Sequence, residues 1–292
     1  MVPSREQLEL RVGHPGDKWQ ALQAGVQERN LKAFRQVQAQ WLDLMWCLDA
    51  YRTAGVAPAR MGDVHSEAKR LDAVYRGKGN WFATLISLLL ENQTSLRLAP
   101  RTSVQGFSQF HQIDVAWPDR ELDPLLCLET KVTGAPPGLS DPERRGMADW
   151  TNRRKELKFA ATDLKLYRRQ NLTEIRHWDV WRETASPRCY FLWAVRLSDR
   201  DRIDKIVSET QALVRTYLDG AGILAWRRSG DAYELVPIPQ SDRVSEVDDV
   251  LYRVSTELMQ MAGPDRLEPP PIRPPTGGLL AAEDSSGWGS DV

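Results

Sequence analysis

Apolar residues recur along the chain with two different periods, and their order predicts the fold class. Helical spacing runs through GNWFATLISLLLENQT, with Asn80 as its N-cap, and again from Ile203 toward Gly220. Strand-like runs are FHQIDVAWP, LLCLETKV, RCYFLWAVRL, GILAWRRS and AYELVPIP, the last two separated by the turn Ser229-Gly230-Asp231. This order predicts an α/β core over residues 79–240, with a mixed central sheet flanked by helices.

The segments on either side of this core have other patterns. Residues 1–78 carry a helical apolar stripe that includes Phe34, Trp41 and Leu48, which predicts an N-terminal helical subdomain. Residues 241–263 predict a C-terminal helix that either packs on the core or forms a short self-association seam. Residues 264–292 are rich in Pro and Gly, so we expect a disordered tail. In that tail Trp288 is either an anchor for a protein partner or an incidental exposed aromatic.

The composition of the chain is that of a globular protein with its own hydrophobic core. The chain has 292 residues, of which 41% are hydrophobic, and this is enough for a substantial core. It has no apolar run of about 18 residues, so no membrane span is expected. The N-terminal residues lack the apolar core of a secretion signal. The three cysteines are far apart and have no zinc-ligand spacing, which favours buried thiols in a reducing cytoplasm.

The residues that predict chemistry are Asp114, Glu129 and Lys131, on two consecutive strand-like runs. Side chains alternate along a strand, so Glu129 and Lys131 point to the same face. If the turn between the runs centres near residue 121 or 122, Asp114 falls opposite Glu129. Two carboxylates and one ammonium then meet at one place. Such a set suits Mg²⁺, which prefers oxygen ligands, activates water and polarises a phosphate.

This arrangement resembles the PD-(D/E)xK nuclease superfamily, which has the restriction-endonuclease-like fold. Asp114 matches the first acid, Glu129 the second and Lys131 the lysine, and the resemblance covers residues 79–240. Ile113 stands where the motif's name has Pro, a residue that is often missing in the family. The resemblance implies that Glu91, at the end of the preceding helix, is a third carboxylate of the metal site; the alternative is a solvated charge. Gln112 is expected on the Asp114 face, lining the site.

Basic residues are concentrated between residues 151 and 176, although the net charge of the chain is −1. Helical spacing places four of them on one face, Arg154, Lys158, Lys165 and Arg169. Such a face suits contact with DNA phosphates beside the catalytic strands, or it is merely solvated.

The resemblance implies a Mg²⁺-dependent endonuclease, with Mn²⁺ as a possible substitute, that acts on double-stranded DNA. A prokaryotic restriction or anti-phage system is the expected setting, and a homodimer is expected because cutting both strands usually takes two active sites. Two alternatives stay open. One is a repair or recombination nuclease acting on branched or nicked DNA, and the other is an inactive nuclease-like subunit that binds DNA or a partner protein.

Overall fold

A computed structural model describes residues 3–58, 67–118, 124–139, 141–170, 187–239 and 241–263, with backbone alone for residues 67–74 and 168–170. Its centre is an open mixed sheet of seven strands in the order β1-β2-β3-β4-β5-β6, with β7 also on β5. The strands are β1 (Ala99–Gln105), β2 (Phe110–Trp117), β3 (Leu126–Thr133), β4 (Arg188–Arg196), β5 (Gly220–Ser229), β6 (Ala232–Val236) and β7 (Val244–Glu246). The chain is therefore α/β, as the sequence predicts.

The type of strand pairing changes twice across the sheet, from antiparallel to parallel and back to antiparallel. Strands β1, β2 and β3 form an antiparallel meander. Strand β3 pairs in parallel with β4, and β4 in parallel with β5. Strand β6 returns antiparallel to β5 through the turn at Gly230, which has a φ of 59°. The predicted hairpin at residues 229–231 is thus confirmed.

Helices cover both faces of the sheet. They are α1 (Arg5–Val12), α2 (Pro15–Glu28), α3 (Gln38–Ala54), α4 (Glu67–Thr94), α5 (Trp150–Gln170), α6 (Ile203–Val214) and α7 (Val247–Ala262), with a short 3-10 turn at Phe34–Gln36. One core includes side chains of α2, α3, α4 and α7 with one face of the sheet. The other lies under α5 and α6. Alternation along β4 explains this division, because Leu192 belongs to the first core whereas Phe191 and Trp193 belong to the second.

Helix α4 differs most from the sequence prediction. It runs without interruption from Glu67 to Thr94, so Asn80 lies within the helix and is not its N-cap. The predicted boundary between residues 78 and 79 falls inside this helix. The N-terminal helices share one core with the sheet, and Trp19 of α2 stacks on Trp81 of α4 with ring centroids 5.6 Å apart. Packing of this kind offsets the helix-weakening effect of Gly79.

At the other end of the chain, α7 packs on the sheet through an apolar stripe that includes Val250, Leu251 and Val254, all fully buried. Of the two alternatives for this segment, core packing accounts for the stripe. The predicted tail at residues 264–292 lies outside the described residues, as do residues 119–123 of the linker between β2 and β3. Within the described ranges, none of the helices combines the length and the apolar character needed to cross a bilayer.

Candidate active site

Asp114 stands where strands β2 and β3 separate. The two strands pair only from Val115 to Trp117, and continuing their register by one residue sets Asp114 opposite Glu129, as the sequence predicts. The Thr130 backbone N–H donates to Asp114 Oδ2 at 2.8 Å, and the Thr130 hydroxyl donates to the same oxygen at 3.0 Å. Two donors therefore fix the orientation of this carboxylate.

The buried side chains of β2 pack on different faces of the sheet before and after Asp114. Ile113 packs in the core under α5 and α6, whereas Val115 packs in the core under α4 and α7. On β1, Arg101 lies between the residues paired with these two and has a φ of 52°, in the left-handed region. The side chains of β2 therefore do not alternate regularly between the two faces of the sheet at this point. The prediction that Gln112 lies on the same face as Asp114 depended on such alternation. Gln112 is exposed and is not among the residues that line the cleft described below.

Glu129 and Lys131 share one face of β3, and Lys131 Nζ lies 3.6 Å from Glu129 Oε2. Only 16% of the Glu129 side chain is exposed. Burial, and then the negative charge of Asp114, raise the pKa of Glu129 to about 8, although Lys131 opposes the shift. Asp114 and Glu129 therefore repel each other when both carboxylates are ionised. A divalent cation between them relieves that repulsion, so the donor set fits Mg²⁺ or Mn²⁺.

The raised pKa of Glu129 predicts how stability depends on pH without a metal. Between the ordinary glutamate pKa and about 8, the folded chain binds more protons than the unfolded chain, so the free energy of unfolding falls as pH rises through this window. Glu129→Gln removes this loss, so at pH above 8 the variant should melt at least about 2 °C higher than the wild type. Thermal melts in EDTA from acid to alkaline pH test this, with exposed Glu28→Gln as the control. Parallel curves for wild type and Glu129→Gln would contradict the assigned shift.

The carboxylate site opens into a cleft of about 670 Å³. Asp114, Thr130 and Lys131 line this cleft. Glu129 does not line it, but its carboxylate forms an ion pair with Lys131, which does. The other basic lining residues are Arg52, Arg76, Lys78, Arg144, Arg145 and Arg153, against the further acids Asp141 and Glu143. With Lys131 and Asp114 included, seven basic residues face three acidic ones. The cleft is therefore strongly positive in a chain whose net charge is −1.

Interactions within the protein hold several of these cations in place. Lys78 Nζ donates to the Gly134 carbonyl at 2.9 Å and lies 4.1 Å from the centre of the Tyr75 ring. The Arg52 guanidinium lies 4.8 Å from the same ring. Burial lowers the pKa of Lys78 to about 8. The sequence YRGKGN at residues 75–80, with its two glycines, predicts a flexible connector. The structure instead places this segment in helix α4, where it forms one wall of the cleft.

Glu91 is buried near the end of α4, with 1% exposure. Its Oε1 accepts a hydrogen bond from the Leu98 backbone N–H at 2.9 Å, so it supports the connection from α4 to β1. Burial removes the alternative of a solvated charge. Among the described residues, no group of three or more His, Cys, Asp or Glu side chains is arranged to hold a metal ion. The register brings Asp114 and Glu129 together, and the role of Glu91 as a third ligand stays a prediction.

The predicted basic face of α5 packs largely against the α6–β5 connection. Lys165 Nζ donates to the Tyr217 carbonyl at 3.0 Å and lies 3.1 Å from Asp219 Oδ2. Lys158 Nζ lies 4.8 Å from the centre of the Tyr217 ring. Arg154 pairs with Glu209 at 3.0 Å. The side chain of Arg169 lies outside the described part of the chain. Arg154, Lys158 and Lys165 therefore do not line the cleft at Asp114, to which α5 contributes Arg153 instead.

Comparison of the chain with models of known protein families, with curated protein sequences and with solved structures finds no match. The geometry of the site therefore carries the functional argument by itself.

Proposed function

We propose that this chain is a metal-dependent endonuclease with a restriction-endonuclease-like core that hydrolyses phosphodiester bonds of double-stranded DNA. One observation carries the proposal. Asp114 and Glu129 meet at the fork between β2 and β3, beside Lys131, at the edge of a cleft in which basic residues outnumber acidic ones. Hard oxygen ligands next to a polyanion-binding surface are what metal-assisted phosphodiester hydrolysis requires.

Each residue of the site has a separate task in this proposal. Asp114 and Glu129 would hold the metal, and the two hydrogen bonds from Thr130 fix the orientation of the Asp114 carboxylate. A bound Mg²⁺ supplies a polarised phosphate and a water of lowered pKa. Lys131 orients the attacking water or balances the charge that develops on the phosphate. The ammonium of Lys131 is suited to this because it lines the cleft and lies beside Glu129.

The charge of the cleft supports a polynucleotide as substrate. A nucleic acid carries closely spaced phosphates, and each one that is neutralised by Lys or Arg releases counterions. The cations that line the cleft with Asp114 belong to five segments, α3, α4, β3, α5 and the connection before α5. This distribution favours a long backbone that crosses the cleft over a small phosphate ester.

The proposed setting is a restriction or anti-phage system, and the proposed active form is a homodimer in which each chain cuts one strand. The experiment is a cleavage assay on supercoiled plasmid, methylated and unmethylated, with linear duplex, single-stranded DNA and RNA in parallel. We expect nicked and linear plasmid in Mg²⁺ or Mn²⁺, and intact plasmid in EDTA. Binding of duplex without cleavage of any of these substrates would instead indicate an inactive binding subunit.

A further inference from the structure

A second basic cleft lies beside the first. It has a volume of about 400 Å³ and lies between the start of α5 and the start of α6. Five basic residues line it, Arg145, Arg154, Arg200, Arg202 and Lys205. Only two acidic residues, Asp201 and Glu209, line it with them, so this cleft also differs in charge from the chain as a whole.

Both acidic residues of this second cleft accept hydrogen bonds from other residues of the chain. Asp201 Oδ2 accepts from the Gly146 backbone N–H at 2.9 Å and from the Ser198 hydroxyl at 2.7 Å. Glu209 accepts from Trp150 Nε1 at 3.2 Å and from Arg154 at 3.0 Å. The bond to Gly146 joins the segment before α5 to the turn before α6, and the bonds to Glu209 join the two helices, so both walls of the cleft are held in place.

Close packing at Gly146 and Trp150 fixes the same wall against the sheet. A Cβ on Gly146 would lie 2.4 Å from Val195 Cγ2, so only glycine allows this approach to β4. Trp150 stacks on Trp193 with ring centroids 4.4 Å apart and planes 3° apart. The second cleft is therefore a formed part of the fold. Its cations Arg200, Arg202 and Lys205 are exposed on the opposite wall.

One residue connects the two clefts. Arg145 lines both of them. Around it, Arg144 and Arg153 line the first cleft, whereas Arg154 lines the second. The positive surface thus continues from Asp114, past Arg145, to Lys205.

We propose that the second cleft binds backbone phosphates of the same nucleic acid, at a distance from the phosphate that is cut at Asp114. This inference rests on the proposed function for the identity of the polyanion. A surface that is positive over two adjoining clefts suits a ligand with regularly spaced negative charges, and a nucleic acid backbone is such a ligand. Phosphate binding in the second cleft contributes to affinity and to the position of the strand, whereas the chemical step belongs to the first cleft.

Removing three cations from the second cleft tests the proposal. The variant is Arg200→Ala, Arg202→Ala and Lys205→Ala together, and the matched control replaces the exposed Arg11, Lys32 and Arg35, which line neither cleft. Affinity for a long duplex is measured in EDTA over a range of salt concentrations, so that no cleavage is needed. We expect the cleft variant to bind about 10-fold or more weakly, and the slope of log K against log salt to fall by about one for each phosphate that is no longer neutralised. The control should match the wild type.

A substrate-length series distinguishes this inference from the proposed function. If the chain cleaves DNA, the cleft variant should raise KM for long duplexes and leave kcat unchanged, and the penalty should vanish for a dinucleotide too short to reach the second cleft. If the wild type does not cleave DNA but the cleft variant has a reduced salt slope, the proposed function is wrong and the inference about the second cleft still holds. A cleft variant with the salt slope and affinity of the control would overturn the inference. Lys205→Gln alone, a milder change at an exposed side chain, should give about one third of the slope change.

Discussion

Asp114→Asn and Glu129→Gln are each expected to lower the cleavage rate on the order of 10³-fold, because each removes a negatively charged oxygen ligand. An amide has nearly the shape of the carboxylate but no charge to offer a divalent cation. In Asp114→Asn the amide oxygen can still accept the hydrogen bonds from Thr130, so the fork between β2 and β3 should keep its geometry. Lys131→Met should also inactivate the chain, through loss of charge beside the phosphate. Single-turnover cleavage of a labelled duplex measures all three effects.

The controls for this prediction remove carboxylates elsewhere. Asp231→Asn and Glu28→Gln change exposed acids that do not line the cleft, and both should cleave at the wild-type rate. Duplex binding by Asp114→Asn should equal or exceed that of the wild type, since the negative charge that it removes repels phosphate. Wild-type cleavage by Asp114→Asn would remove Asp114 from the chemistry and with it the proposed function.

Asp49→Ala is expected to destabilise the fold by about 3–5 kcal/mol, because it breaks a buried charged network by removing one partner. Asp49 has 7% exposure and accepts hydrogen bonds from the hydroxyls of Tyr75 and Tyr233. Its carboxylate also lies 3.4 Å from Arg196 Nε. Helix α3 is thus joined to α4, β4 and β6 through one side chain. Without it, Arg196 keeps Glu143 but loses its most buried counter-charge.

Denaturant unfolding with tryptophan fluorescence measures this destabilisation. Asp43→Ala is the matched control, because Asp43 lies on the same helix but is more than half exposed beside Lys18. We expect it to cost less than about 1 kcal/mol, as for other surface pairs. A cost for Asp49→Ala as small as that of the control would mean that the network contributes packing without a net electrostatic role.

The parts of the site that the sequence predicts are those governed by local rules. Alternation along β3 places Glu129 with Lys131, and the spacing of the hairpin places Asp114 opposite Glu129. Both follow from a period of two and from one turn. The same rule fails for Gln112, because the left-handed backbone at Arg101 and the change of packing at Asp114 interrupt alternation. A single sequence gives no indication of such an interruption.

Long-range packing decides the remaining features of the site. Gly77 and Gly79 indicate a connector, yet α4 continues through them because the apolar face of the helix is buried against the sheet and the N-terminal helices. The basic face of α5 is evident from helical spacing. Its contacts cannot be read from that spacing, because Lys158 and Lys165 contact Tyr217 and Asp219, which lie more than fifty positions away along the chain.

No sequence pattern common to the basic residues of the cleft would predict that they lie on one surface. Arg52, Arg76 and Arg144 lie on separate segments, and only the tertiary fold brings them to one surface. The carboxylate pair could therefore be predicted from sequence, whereas the surface that would hold the substrate could not.

The most direct test of the central claim is anomalous diffraction from crystals soaked in Mn²⁺ at a concentration that saturates cleavage. The account predicts a Mn²⁺ peak with ligands from both Asp114 and Glu129, which is lost in Asp114→Asn crystals soaked in the same way. A Mn²⁺ peak elsewhere, or none between these two carboxylates while the soaked enzyme remains active, would contradict it.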